Sequence, residues 1–63
     1  MPIMQVYMVE GRTLEQKRTL VANLTDAVVK SLGVKPETVR IHLFEKKKED
    51  MSVGGTLFLD LEK

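Results

Sequence analysis

The chain contains no cysteine and only one histidine, His42, among its 63 residues. Disulfide bonds and thiolate metal sites are therefore excluded, and no spacing of histidine and carboxylate residues resembles a metal site. A chain this short buries only about 60% of the surface that it exposes when unfolded, so its stability alone is marginal. With disulfides and metals excluded, we expect oligomerisation to supply the additional buried area.

Long apolar runs and an excess of charge of one sign are also missing. No stretch approaches the roughly 20 apolar residues that span a bilayer, and the N-terminal segment MPIMQVYMVEG lacks the features of a signal peptide. The formal net charge is +1, which argues against nucleic acid or membranes as the main binding partners. We therefore expect a soluble cytoplasmic protein that binds neither.

The first half of the chain predicts a strand followed by a helix. Residues 2–9 are rich in β-formers and apolar on both sides apart from Gln5, which is typical of a strand covered on both faces. Thr13 and Gln16 form a capping-box pattern, and Gly33 is the expected C-terminal cap of a helix of about 19 residues. Its apolar stripe predicts core packing rather than a ligand channel. The stripe comprises Leu14, Val21, Leu24, Val28 and Leu32, flanked by Leu20 and Ala27.

The second half predicts a second strand at residues 39–45, after a turn at residues 35–38. Gly54-Gly55 and the following segment TLFLDL predict a turn and a short terminal strand. A strand, a helix and a second strand form a β-α-β unit, whose two strands should be parallel with a right-handed crossover. The predicted fold class is therefore α/β (α+β), a single domain over residues 1–63 with a short C-terminal hairpin or strand. Two strands and one helix need further packing, so we expect the protomer to join other copies of itself.

Pro2 is the first residue whose position suggests chemistry. Removal of Met1 would leave a secondary amine at the N-terminus, with a lone pair for work as a base or a nucleophile. An apolar pocket lined with arginine would disfavour the ammonium form and lower the pKa of that amine toward neutrality. Position alone favours the simpler interpretation that Pro2 only starts a strand, where proline is tolerated.

Two arginines could bind an anionic substrate. Arg12 lies in the turn before the helix and Arg40 lies near the start of the second strand. Guanidinium groups bind carboxylates through two hydrogen bonds and stay charged at any working pH. Taken singly, each residue is more simply a solvated surface arginine. In an oligomer, arginines of neighbouring subunits could converge on Pro2, although sequence spacing cannot show this.

The pattern as a whole resembles the 4-oxalocrotonate tautomerase family. The resemblance is carried by PI-x-Q-V-x-M-x-EGRT-x-EQKR-x-LV at the N-terminus, VR-I at residues 39–41 and GG at residues 54–55, and it covers essentially the whole chain. It implies β-α-β protomers that assemble into homohexamers, three dimers around a central axis. It also implies a tautomerase that needs neither a cofactor nor a metal and that isomerises enol or unsaturated 2-oxo acids of the 2-hydroxymuconate type.

The resemblance also implies roles for individual residues. Pro2 matches the catalytic base, Arg12 matches the arginine that binds the distal carboxylate of a dicarboxylate substrate, and Arg40 matches the arginine that holds the 2-oxo acid end. Met51 is expected to line the pocket, at a position where the family usually has phenylalanine. Val9 and Val53 are expected to lie beside it. Methionine can still fill irregular space and exclude water.

Other interpretations stay open. Hydration or dehalogenation of an unsaturated acid would need a carboxylate to activate water, for which Glu49 and Asp50 are the nearest candidates. The chain could also be a non-catalytic subunit of an oligomer. His42 is more simply a packed or interface residue than an acid catalyst. The lysines at residues 46–48 are more simply a solvated loop than a nucleic-acid site.

Overall fold

The computed structural model describes residues 1–61, so residues 62 and 63 of the predicted domain lie outside the described residues. Strand β1, helix α1 and strand β2 form the β-α-β unit, and a small hairpin and a single helical turn follow. This architecture confirms the predicted fold class. The elements are β1 (Ile3–Val9), α1 (Leu14–Leu32), β2 (Arg40–Lys46), β3 (Ser52–Val53), β4 (Thr56–Leu57) and α2 (Phe58–Leu61), with 3₁₀ turns at Pro36–Thr38 and Lys48–Asp50.

β1 and β2 pair in parallel, as predicted, in a register that runs from Ile3 opposite Arg40 to Val9 opposite Lys46. Backbone hydrogen bonds extend the pairing by one residue at each end. The Arg40 N–H donates to the Pro2 carbonyl at 3.0 Å, and the Glu10 N–H donates to the Lys46 carbonyl at 2.9 Å. The seven-residue β2 begins and ends one residue later than the sequence predicted.

Helix α1 has both predicted caps. The Gln16 N–H donates to Thr13 Oγ1 at 3.1 Å, and the Thr13 N–H donates to Gln16 Oε1 at 2.9 Å, which completes the capping box. At the other end Gly33 adopts φ 68° and ψ 32°, and its N–H donates to the Val29 carbonyl. A residue with a Cβ atom adopts this left-handed conformation at a higher free-energy cost than glycine does. Glycine at this position therefore ends the helix at a defined residue.

The C-terminal hairpin confirms the predicted turn but corrects the element after it. Gly54 and Gly55 both have positive φ, 59° and 87°, which a two-residue type I′ turn requires. The predicted strand ends at Leu57, and residues 58–61 form one turn of helix instead. The Phe58 N–H donates to the Met51 carbonyl at 2.8 Å, which ties this turn back to the start of the hairpin.

The inner face of the sheet, on the side of α1, contains the half-buried side chains. These are Met4, Val6 and Met8 on β1 and Ile41 and Leu43 on β2. The ion pair between Lys17 and Glu45 joins α1 to β2 on the same side. Leu14 and Leu32, at the two ends of α1, are each 63% exposed, so the buried part of the apolar stripe is shorter than predicted. A 19-residue helix is about 28 Å long and a seven-residue strand about 23 Å, so the helix ends extend past the sheet.

The opposite, outer face of the sheet is uncovered. Ile3 and Tyr7 are 63% and 60% exposed, and the ring of Tyr7 stacks on that of Phe44 with centroids 4.9 Å apart. No residue among those described is fully buried. The prediction that β1 is covered on both faces is therefore not met within one protomer, because a chain with a single long helix covers only one face.

The dimensions of the protomer agree with an open structure. Its radius of gyration is 14.8 Å, whereas a compact domain of this length has about 11 Å. Its accessible surface is 4946 Å², whereas a folded monomer of this mass exposes about 4100 Å². Apolar surface that a compact domain would bury is thus left available to other chains.

The left-handed cap at Gly33 generates a prediction about stability. Gly33→Ala should lower the free energy of unfolding by about 1–2 kcal/mol, because alanine pays the steric cost of the left-handed conformation. Urea denaturation at fixed protein concentration measures the change. The matched control Ser31→Ala, in the last turn of α1, should be neutral or slightly stabilising. Equal midpoints for Gly33→Ala and the wild type would contradict the argument.

Candidate active site

Two of the predicted site residues, Pro2 and Arg40, lie together at one end of the sheet. Pro2 is half-buried, and its carbonyl accepts the Arg40 N–H at 3.0 Å. Arg40 lies opposite Ile3 in the register and projects from the outer face. Strand pairing therefore brings a guanidinium group close to the residue expected to supply the base.

Met1 occupies this end of the sheet in the full-length chain. Its side chain is 78% exposed, and the Arg40 guanidinium donates a hydrogen bond to Met1 Sδ. With Met1 present the Pro2 nitrogen belongs to an amide, which has no basic lone pair. Removal of Met1 would therefore both create the amine and free the Arg40 guanidinium.

Arg12 lies at the other end of β1, in the turn that leads into α1. It is exposed, and no carboxylate within residues 1–61 lies close enough to form an ion pair with it. A depression of about 410 Å³ opens beside it. The lining residues are Val9, Glu10, Arg12, Lys48, Phe58 and Leu61.

Within one protomer Arg12 cannot meet Pro2. The seven residues of β1 separate them by roughly 20 Å, which is farther than an arginine side chain reaches. Val9, a predicted lining residue, lies at the Arg12 end of the strand. Met51 is linked to the same end through its hydrogen bond with Phe58, and Val53 is 59% exposed in the hairpin. A single chain thus brings Pro2 and Arg40 together and leaves the other four predicted residues away from them.

The remaining candidates have simpler surroundings. His42 is exposed on the outer face, between Arg40 and Phe44. Glu49 lies 3.9 Å from the Lys47 ammonium in an exposed ion pair. No group of three His, Cys, Asp or Glu side chains within residues 1–61 could hold a metal ion, and none of the helices there is long and apolar enough to cross a membrane.

Sequence reasoning missed four residues of the Arg12 depression. Glu10 was noted only within the EGRT motif, Lys48 was assigned to a solvated loop, and Phe58 and Leu61 were assigned to a terminal strand. All four line the same depression as Arg12, although three of them lie more than 35 positions away in the chain. No local spacing predicts this meeting, because it depends on how the segment after β2 folds back over the end of β1.

The chain also matches a known protein family. The sequence model of the tautomerase enzyme family matches residues 2–61 of this chain. A 2-hydroxymuconate tautomerase of Pseudomonas sp. (strain CF600) is 44% identical over 55 residues, which are 87% of each chain.

Solved structures agree with the sequence match. A 4-oxalocrotonate tautomerase isozyme of Methylibium petroleiphilum is 46% identical, with a TM-score of 0.94 over 97% of this chain and 95% of the other. A heterohexameric 4-oxalocrotonate tautomerase of Chloroflexus aurantiacus J-10-fl is 31% identical, with a TM-score of 0.91 over 97% of this chain and 98% of the other. On sequence and fold together, this chain belongs to the tautomerase family of enzymes.

Proposed function

We propose that the processed protein is a cofactor-independent keto–enol tautomerase acting on enol or unsaturated 2-oxo acids of the 2-hydroxymuconate type. The observation that carries this proposal is the pairing of Pro2 with Arg40 at one end of the sheet, in a chain whose family match begins at Pro2. The whole of residues 1–63 is proposed to form one tautomerase domain.

The proposed reaction moves one proton. The Pro2 amine accepts the hydroxyl proton of the enol, and the oxygen electrons form the carbonyl. The displaced π electrons then take the proton back from the prolyl ammonium at a carbon of the conjugated chain. The Arg40 guanidinium faces the 2-oxo acid end, where it stabilises the negative charge on the enolate oxygen, and Arg12 binds the distal carboxylate.

This mechanism requires a site shared between subunits. Because β1 holds Arg12 away from the Pro2 of its own chain, the Arg12 that binds the substrate must come from another copy. The bare outer face and the absence of fully buried residues within residues 1–61 support self-association. The proposed assembly is a homohexamer built from three dimers.

The apolar residues Val9, Met51 and Val53 are proposed to reach Pro2 with Arg12. They would exclude water and disfavour the charged ammonium, as the arginines would, so that the amine is available as a base. No specific observation favours hydration or dehalogenation, because Glu49 is exposed and paired with Lys47 and Asp50 is exposed. A non-catalytic subunit would not need to lose Met1, so intact mass is a first discriminating measurement.

The first prediction of this proposal concerns assembly. Native mass spectrometry at micromolar concentration should show a hexamer, and Tyr7→Lys should disrupt it because a charge would then have to be buried on the outer face. The matched control Ser31→Lys, at the exposed end of α1, should leave the hexamer intact. A stable folded monomer of the wild type would refute the proposed assembly.

The second prediction concerns Pro2. Insertion of a lysine between Met1 and Pro2 should lower kcat/KM by about three orders of magnitude, because general-base catalysis contributes about 10²–10⁴-fold. Pro2→Ala, which leaves a primary amine after processing, should retain weak activity. For the processed wild type, kcat/KM should rise with pH as the amine loses its proton. Ultraviolet monitoring of 2-hydroxymuconate ketonisation measures these rates.

Native mass spectrometry serves as the control, since the inserted lysine should leave the hexamer intact. If the extended chain turns over substrate as fast as the processed one, Pro2 is not the base.

The third prediction separates the two arginines. Arg12→Ala should raise KM for a dicarboxylate enol about tenfold and leave KM for a monocarboxylate such as phenylenolpyruvate nearly unchanged, because only the former has a distal carboxylate. Arg40→Ala should lower kcat about 100-fold for both, since it meets charge that grows in the transition state. Equal effects of Arg12→Ala on both substrates would contradict the assignment.

A further inference from the structure

His42, the only histidine of the chain, lies on the outer face of the sheet. Strand pairing places it opposite Gln5. Its side chain is exposed in one protomer and takes part in none of the side-chain hydrogen bonds or ion pairs within residues 1–61. Self-association through this face would move the imidazole from water into an interface.

The groups around His42 on this face favour a neutral imidazole. The outer face consists of the odd-numbered residues of β1 and the even-numbered residues of β2, and none of these is a carboxylate. Its permanent charges, Arg40 and Lys46, are both positive, and Tyr7 is its other titratable side chain. The amine of a processed N-terminus would lie at the Arg40 end, because the Pro2 carbonyl accepts the Arg40 N–H.

The nearest carboxylates along the chain are held elsewhere. Glu45, the only acidic residue of β2, forms an ion pair with Lys17 on the side of α1. Glu49 forms an exposed pair with Lys47. A protonated His42 would therefore add a third positive charge to a face with no negative side chain. In an assembly of identical chains, every subunit would repeat that charge.

His42 also differs from the two permanent cations in its place on the face. Arg40 and Lys46 stand at the two ends of β2, so their long side chains can extend past the edge of an interface. The imidazole is short, and it lies between Arg40 and the ring of Phe44, which stacks on Tyr7. Burial of an ionised group without a partner of opposite charge is strongly disfavoured. A neutral imidazole carries no such penalty.

We propose that His42 makes self-association depend on pH, because protonation of its imidazole drives the subunits apart. This inference rests on the self-association in the proposed function. The assembled form binds fewer protons than the separate chains, so association weakens as the pH falls through about 6.5, where histidine ordinarily titrates. Since the Arg12 of one copy must meet the Pro2 of another in the proposed site, dissociation also removes activity.

Sedimentation velocity of the processed protein tests the inference at a higher pH of about 7.5 and a lower pH of about 5.5, on either side of histidine titration. The wild type should be assembled at the higher pH. Its dissociation constant should rise about tenfold for each pH unit below 6.5 and for each histidine that is buried. His42→Gln, neutral throughout, should stay assembled at the lower pH. His42→Lys, charged throughout, should be dissociated at the higher pH.

Two double variants that keep a single histidine locate the effect. Gln5→His combined with His42→Gln moves the imidazole by one strand spacing, about 4.8 Å, on the same face. This variant should regain the pH response. Ser31→His combined with His42→Gln places the imidazole at the exposed end of α1, and this variant should stay assembled at the lower pH. If His42→Gln alone fails to assemble at the higher pH, His42→Leu serves as the neutral variant.

Enzyme concentration separates dissociation from titration of the Pro2 amine. Raising the protein concentration reverses dissociation, whereas protonation of Pro2 affects every site equally at any concentration. At the lower pH the specific activity of the wild type in 2-hydroxymuconate ketonisation should therefore rise with enzyme concentration. The specific activity of His42→Gln should stay constant.

The outcomes separate this inference from the proposed function. If the wild type stays assembled at the lower pH, dissociates on raising the pH instead, or dissociates as the neutral variant does, His42 is not the switch, whatever the tautomerase activity. If dissociation depends on His42 but the wild type does not isomerise 2-hydroxymuconate, the proposed activity is wrong and the inference stands. A wild type that is monomeric at the higher pH overturns both the proposed assembly and the inference.

Discussion

A single helix can cover only one face of a two-stranded sheet, and most features of this protein depend on that constraint. Helix α1 covers the side with Met4, Val6 and Leu43, and within residues 1–61 no further helix of comparable length covers the side with Tyr7 and Phe44. The hydrophobic effect scales with the apolar area removed from water. The outer face is therefore the largest source of stability still available to the chain, and only another chain can use it.

The same two strands determine which residues of the site can meet. Parallel pairing fixes Arg40 beside Pro2 through a backbone hydrogen bond, so this contact exists before any association. The length of β1 has the opposite effect on Arg12, which the strand holds at the far end of the sheet. Assembly thus has two consequences in the proposed enzyme, because it covers the apolar face and it completes the site. Stability and activity should respond together to substitutions on that face.

Much of the fold could be predicted from the sequence because its signals are local. The capping box at Thr13, the glycine cap at Gly33 and the periodicity between them define α1 to the residue, and Gly54-Gly55 defines the hairpin turn. The end of the chain could not be predicted as well, since TLFLDL has the apolar character of both a strand and a buried helical turn. There the hydrogen bond from the Phe58 N–H to the Met51 carbonyl still continues the pairing of the hairpin, and the chain turns into the helix directly after it.

The residues of the candidate site likewise fall into two groups, those that the sequence predicts and those that it does not. Pro2, Arg12 and Arg40 became candidates from the sequence alone, because their residue types and positions match a known pattern. The positions of Glu10, Lys48 and Phe58 around Arg12 could not, since they arise where the segment after β2 returns to the end of β1. In the proposed enzyme, the lining of the Pro2 pocket by Val9, Met51 and Val53 depends on contacts between chains, which local sequence spacing does not predict.

The separation of Pro2 and Arg12 by the length of one strand also affects how such a gene can evolve after duplication. If a working site joins the Pro2 end of one chain to the Arg12 end of another, each copy of a duplicated gene can lose a different end. Assemblies that contain both kinds of chain still have sites in which an intact Pro2 end meets an intact Arg12 end. Natural selection therefore does not immediately eliminate either loss. After both losses have occurred, each gene depends on the other. A strand of seven residues can thus turn one self-sufficient gene into an obligate pair without any gain in catalysis.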